Sequence, residues 1–291
     1  MLIETRGEKL FAAFNYMFLI VLCAVFLIPF WTVFATSFVS EAEAVRRGAF
    51  ILFPEQWNLL AYRMFLQDST MIMNAYSITL FRVIIGTAFN LIVTSMLAYG
   101  LARRTLPGRN WIVTFVFFQM IFTGGMIPTY LLMDAIGLKG SIWVLVIPGL
   151  VNAWNMFIMR TFFMNIPVEI EEAAIMDGAN AAGILWRIIL PLSKPAFVTI
   201  GLFYAVSHWN AWFDAAIYLN NPKQFPVQLV LRNILSAGIL QDDMLTTSEI
   251  PPPAATIKSA AIMISTVPIL FVYPFIQKYF VKGAMIGSVK G

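Results

Sequence analysis

Arg82 in the run 76–101, and His208 and Asp214 in the run 195–219, are titratable side chains set within otherwise apolar segments. Amides and hydroxyls join them, with Asn90, Thr94 and Ser95 in the first run, Asn152 and Asn155 in the run 141–163, and Asn210 beside His208. A polar group in such a segment is costly unless it is paired or faces a cavity. The chemistry on offer is therefore hydrogen bonding, to a polar cargo or between helices. Bond-making chemistry is not indicated. His208 is the sole histidine, and the sole cysteine, Cys23, lies in an apolar run, so neither a metal cluster nor an internal disulfide is expected. No nucleophile–base constellation and no GxxxxGK[ST] phosphate loop occur, so the chain has no evident means of cradling ATP and is expected not to be an enzyme.

A second group of residues forms a polar island, EIEEAAIMDGANAAGILWRIILPL, from Glu169 to Leu192. Pro167 suits the first turn of a helix, where its missing N–H is not needed. Glu169, Glu171 and Glu172 suit the positive end of that helix. Taken alone, these acids describe a capped surface helix with solvated charges. Ala173, Ala174, Ala179, Ala181 and Ala182 add a small-residue surface that admits close approach by another protein. Gly178 is expected to end or bend the first helix, Ala179–Ile189 to form a second, and Leu190-Pro191 to stop it. The whole segment 167–192 is then a docking element.

The elements that must position these residues are membrane spans. The chain is 60% hydrophobic and 12% charged over 291 residues, against about 25% charged in soluble domains. The formal charge of +4 forms no dense basic patch, which argues against nucleic acid. About 20 apolar residues cross the hydrocarbon core as a helix. Six segments qualify, at about 11–38, 76–101, 111–133, 141–163, 195–219 and 258–280. The expected fold is all-α, a polytopic single domain over 1–291 with six transmembrane helices and a cytoplasmic coupling helix. Arg6 and Lys9 precede an apolar run longer than a signal peptide's, so the first segment reads as a retained span.

The loop with Arg103, Arg104 and Arg109 carries no acid and marks the cytoplasmic side. Both termini and the island 167–192 follow it there. The outer loops, about 39–75 and 220–257, are long enough to dock a partner or to fold into surface helices. Helix-disturbing residues stand within spans, the strongest set being TGGMIP at Thr123–Pro128.

The island resembles the EAA motif of ABC-transporter permease subunits, which reads EAA, three residues, G, nine residues, I-x-LP. Glu172, Ala173, Ala174, Gly178, Ile188, Leu190 and Pro191 fill its positions. The runs Asn74–Arg103, Thr123–Met133 and Trp209–Leu219 are similar to the carbohydrate-uptake, maltose-permease-like branch, in a subgroup associated with complex oligosaccharides and polysaccharide fragments. The resemblance implies a permease of a binding-protein-dependent importer in the bacterial cytoplasmic (inner) membrane. Glu171, Glu172, Ala173, Ala174, Asp177, Gly178, Ile188, Leu190 and Pro191 would couple it to ATPase subunits. It implies no cofactor in this chain, with ATP and Mg held by two ATP-binding cassette subunits. A second homologous permease and an external solute-binding protein would complete the assembly.

Under that resemblance the intramembrane polar residues become a candidate substrate path: Arg82, Asn90, Asn152, Asn155, His208, Trp209, Asn210 and Asp214. Trp154, Trp209 and Trp212 could stack on sugar rings while amides bond hydroxyls. Each has a plainer alternative, since Asn bridges helices and Trp gathers at membrane interfaces. Arg82, about 9 Å into its span, either snorkels to the outer interface or faces a cavity with His208. In the second case an acidic oligomer, such as an alginate fragment, is a sensible cargo. An ion-coupled secondary transporter, for which Asp214 is the clear intramembrane carboxylate, and an ABC permease for a non-sugar solute are the competing readings.

Overall fold

A computed structural model describes residues 6–48, 50–67, 69–237 and 255–271. Among them the ordered elements are helices and turns, in agreement with the all-α expectation. The chain divides into two compact units, one from 1–69 with 231–268 and one from 70–230 with 269–291.

The first unit is built on α1 (Arg6–Thr36), whose apolar stretch Gly7–Thr36 is 30 residues long and includes Pro29. At about 1.5 Å per residue it exceeds the thickness of a bilayer core. Two short helices follow, α2 (Glu41–Arg47) and α3 (Leu60–Gln67). They give the expected outer loop its surface helices. The Glu43 carboxylate is buried and accepts from Arg47 Nη1 at 2.7 Å and from the Glu55 N–H at 2.9 Å. Trp31 Nε1 donates to the Leu52 carbonyl at 2.8 Å, and Ser37 Oγ meets the Tyr62 hydroxyl at 2.8 Å. These bonds fasten the loop to the end of α1. The apolar helix Ala255–Phe271 covers part of the last expected span; the rest of 258–280, and the Pro251–Pro253 run, lie outside the described residues.

The second unit begins with α4 (Met71–Ala102), a 32-residue apolar helix. Its turn Arg82–Gly86 is wider than an α-helical turn, a local π-type geometry that re-aims side chains. The expected span 111–133 is not one straight helix. α5 (Arg109–Ile121) and α6 (Met126–Ala135) meet at 115°. The break falls in TGGMIP, where Gly125 has φ +83°, a conformation that side chains with a Cβ avoid. The expected span 141–163 is also interrupted. Short 3₁₀ turns at Ile142–Leu145 and Ile147–Gly149 precede α7 (Ala153–Met164), with a 50° bend. Pro148 supplies no N–H to continue a helix through that point.

Next come α8 (Val168–Met176) and α9 (Ala181–Leu192), the two halves of the polar island. α9 turns by 90° into α10 (Lys194–Asn210). The expected span 195–219 ends early: Ala211 and Trp212 leave helical geometry before α11 (Phe213–Tyr218). The helix Val227–Ala237 follows. By length and composition, the described residues contain two spanning helices, or up to five if each bent pair is one span. The core of this unit joins Ala98, Tyr99 and Leu101 of α4 with Met156, Met159 and Phe163 of α7, Ile184 and Leu185 of α9, and Ile200 and Tyr204 of α10.

Candidate functional site: a polar cavity and a docking face

Arg82 opens the wide turn of α4, and this places its guanidinium in the protein interior. It is 4% exposed, so it does not snorkel to an interface. Both of its Nη atoms donate to the Asp214 carboxylate, Nη1 to Oδ1 at 3.0 Å and Nη2 to Oδ2. Nη1 also reaches the Ala211 carbonyl, and Nε donates to His208 Nδ1, each at 3.3 Å. The break between α10 and α11 makes this possible, because it frees the Ala211 carbonyl and offsets Asp214 from the α10 axis.

The protonation of His208 follows from its neighbour. Asn90 Nδ2 donates to the carbonyls of Gly149 at 2.6 Å and Leu150 at 2.9 Å. Its Oδ1 is thereby the atom that faces His208 Nε2 at 2.7 Å. Nε2 must donate, which leaves Nδ1 as the acceptor for Arg82. The ring is neutral, and the only charges in the cluster are the opposed pair Arg82 and Asp214. Buried charges left without a partner cost about 3–5 kcal/mol; here the pair and its hydrogen bonds remove that cost.

Gly86 brings the two helices together at this point. A Cβ on Gly86 would lie 2.7 Å from His208 Nε2 and 2.9 Å from Cε1. A second bridge sits deeper: the Tyr204 hydroxyl meets Thr94 Oγ1 at 2.8 Å and accepts from the Asn152 N–H at 3.0 Å. Asn152 in turn caps α7, its Oδ1 accepting from the Asn155 N–H at 3.0 Å.

These groups border a cavity of about 690 Å³. Arg82, Asn152, Trp154, Asn155, Tyr204, Ser207, His208, Asp214 and Tyr218 are among its lining residues. Asn90 stands behind His208. Trp209 and Asn210 are not among the lining residues, and Asn210 Nδ2 bonds its own helix at the Val206 carbonyl. The hydroxyl bridge through Tyr204 and the close approach at Gly86 were not singled out from sequence. A tyrosine or a glycine in an apolar run carries no mark of its partner. Among the described residues no group of three His, Cys, Asp or Glu side chains is placed to hold a metal ion.

The polar island forms the second candidate site. α8 ends at Met176 with Asp177 as its cap, and Gly178 takes φ +80°. The Gly178 N–H bonds the Ile175 carbonyl and the Ala179 N–H bonds the Ala174 carbonyl, each at 2.9 Å. This is the two-bond helix stop that needs a left-handed residue; a side chain there costs about 1–2 kcal/mol. Asn180 then caps α9 by accepting from the Gly183 N–H at 2.7 Å. Ala174, Ile184, Leu185, Ile189 and Leu190 pack inward against α4 and α7. Glu172, Ala173, Asp177, Gly178 and Pro191 stay exposed, as does Met176 at 87%. Ile188 is half-buried.

Glu171 differs from the other acids. Its Oε1 accepts from the Tyr99 hydroxyl at 2.8 Å and pairs with Arg103. Arg103 also lies over the Tyr99 ring, 4.6 Å from its centroid. The Leu101 carbonyl receives Arg109 Nε at 2.8 Å and Arg160 Nε at 2.9 Å. Arg103 and Arg109, which read in sequence as orientation signals, thus also tie the end of α4 to α8 and α5, and Arg160 ties it to α7.

Broken apolar helices, a polar cavity and an exposed two-helix polar segment are the frame of a transport subunit. The chain belongs to the family of binding-protein-dependent transport system inner membrane components, whose pattern matches residues 108–285. It is a permease subunit of an ABC importer, and permeases of this kind work with ATPase subunits, a second permease and a binding protein. The chain is 45% identical over 286 residues to the polygalacturonan/rhamnogalacturonan transport system permease protein YtcP of Bacillus subtilis (strain 168), covering 98% of this chain and 99% of the relative. It is 42% identical over 289 residues to Protein LplC of the same organism, covering 99% and 97%. A crystal structure of a bacterial ABC transporter involved in the import of the acidic polysaccharide alginate contains a chain 33% identical to this one. That chain superposes with a TM-score of 0.85, covering 96% of this chain and 100% of its own.

Proposed function

We propose that the chain forms half of the translocation path of a bacterial importer for acidic oligosaccharides, fragments of uronate-containing polysaccharides. The cavity wall made by Arg82, Asn152, Asn155, His208 and Asp214 is the observation that carries this reading. It sets one cation among hydroxyl-bonding groups, the combination a uronate oligomer requires. The names of the related polygalacturonan/rhamnogalacturonan permease and of the alginate importer support the same cargo class. Trp154, 62% exposed and lining the cavity, offers a face for a sugar ring. Asn90 holds the wall from behind, while Trp209 and Asn210 would act only outside this cavity.

In this reading the chain is a single transmembrane domain of six spans with both termini in the cytoplasm. The segment 167–192 docks into one of the two ATPase subunits, which bind ATP and Mg. Glu172, Ala173, Asp177, Gly178 and Met176 form the contact surface, and Ala174, Ile188, Leu190 and Pro191 shape it. Closure of the ATPase pair on ATP would favour an outward-open path, and hydrolysis would release it. The external binding protein delivers the cargo.

The test is uptake of labelled oligomers into vesicles that hold the complete importer. Galacturonate and alginate oligomers are expected to enter when Mg-ATP is enclosed, with ion gradients collapsed by ionophores. Uptake that follows an ion gradient and ignores ATP would favour the ion-coupled alternative. Uptake confined to non-sugar solutes would remove the cargo assignment.

A further inference from the structure

We propose that Asp214 is an internal competitor for the cargo: it occupies the Arg82 guanidinium when the path is empty and yields it to a uronate carboxylate. This rests on the cavity being the path of an acidic-oligosaccharide importer. Arg82 and Asp214 are the one fixed cation and the one carboxylate among the described residues that line the cavity. The acid is the more open of the two, its side chain 29% exposed against 5% for the arginine. A ligand arriving through the cavity therefore meets Asp214 first.

The geometry suits exchange. Two parallel N–H donors bind a carboxylate as a fork, and a uronate presents the same group as Asp214. The guanidinium does not depend on Asp214 for its aim, because His208 holds Nε and the Ala211 carbonyl holds Nη1 from other directions. His208 is itself held by Asn90. Asp214 sits on a separate short helix after the break at Ala211 and Trp212. It also has a second partner in place, since Oδ1 accepts from the Ala215 N–H at 2.9 Å in the first turn of α11. Displaced from Arg82, the carboxylate keeps a favourable position at a helix N-terminus.

The consequence is kinetic. A path must bind its cargo well enough to admit it and weakly enough to let it leave. A bare guanidinium with low-dielectric surroundings would hold a carboxylate tightly, and a wall without one would not distinguish it. An aspartate that returns to the arginine as the cargo departs gives an intermediate affinity.

The test compares trigalacturonate with its methyl ester, which keeps the ring hydroxyls and loses the charge. Initial uptake is measured with the complete importer in vesicles enclosing Mg-ATP, each rate taken relative to the parent with the same cargo. Asp214→Asn is expected to slow the acid at least fivefold more than it slows the ester, with more acid retained on the washed assembly. The charge-neutral pair Arg82→Gln with Asp214→Asn needs no buried ion and serves if the single variant does not assemble. It is expected to slow the acid at least fivefold more than the ester, without retention. Equal changes for acid and ester in either variant would make the ion pair a structural staple and overturn the proposal. A parent that carries neither compound would instead remove the reading of the cargo.

Discussion

At the scale of single residues, the polar groups at the cavity were visible as anomalies in apolar runs, but their pairing was not. Arg82, Asn90, His208 and Asp214 stand out against their surroundings, and each was expected either to bond a neighbour or to face a cavity. What joins them is the wide turn at Arg82–Gly86 and the helix break at Ala211, neither of which has a sequence mark as plain as a Gly-Pro pair. Gly86 is the clearest case. Its missing side chain lets His208 sit where a Cβ would be 2.7 Å from Nε2, and the ring cannot turn aside because Arg82 and Asn90 hold both nitrogens. Gly86→Ala is expected to destabilise the assembly by about 1–3 kcal/mol, as overpacking does, read as earlier thermal unfolding in detergent. Adding His208→Ala should recover part of that loss, because neighbours that share a contact are not additive. If the alanine costs as much with His208 as without it, the contact does not limit this packing.

At the scale of elements, the docking segment was more legible than the spans. Its first helix and glycine stop follow from Pro167 and Gly178 and form there, whereas the second helix is not stopped by Leu190-Pro191: after a wide turn at Leu185–Ile189 it carries Pro191 within it and ends at Leu192. The spans were read as continuous because length and hydropathy are averages, and averages conceal a few residues of broken geometry. TGGMIP announced its break most plainly and Pro148-Gly149 marked a second, whereas the break at Ala211 and Trp212 carried neither Gly nor Pro. The acids of α8 looked equivalent in sequence, yet they face different ways: Glu171 binds Tyr99 and Arg103 of its own chain, while Glu172 is exposed. They should therefore fail differently. Glu171→Gln removes a partly exposed ion pair worth up to about 1 kcal/mol and loosens α8 from the end of α4. It is expected to retain the ATPase subunits on purification and to lower the uptake achieved per ATP hydrolysed by several-fold. Glu172→Gln is expected to weaken retention of those subunits. Loss of the ATPase subunits from the Glu171 variant would place that carboxylate in the intersubunit contact instead.

At the scale of the whole molecule, the family pattern and the full-length relatives fix what kind of protein this is, and orientation is the property that sequence reaches least directly. Basic residues argue for an inside position of the Arg103–Arg109 loop, but Arg103 and Arg109 also have structural partners, so charge is not the sole account of their positions. The 115° junction between α5 and α6 raises the question sharply. If Arg109–Ala135 crosses the membrane, two spans separate Arg104 from Met176 and both lie on one side. If it returns to the side it left, one span separates them and they lie on opposite sides. The coupling role of 167–192 requires the first arrangement, with Lys223 one span further on and outside. Cys23 is the sole cysteine, so a Cys23→Ser background with single substitutions Arg104→Cys, Met176→Cys and Lys223→Cys reads the topology directly; all three positions are exposed. A membrane-impermeant thiol reagent is expected to label the third in intact cells and the first two only after permeabilisation. Met176→Cys should also be shielded when the ATPase subunits are present. Labelling of Arg104→Cys and Met176→Cys from opposite sides would make the α5–α6 pair a re-entrant hairpin and would detach the docking face from the cytoplasm.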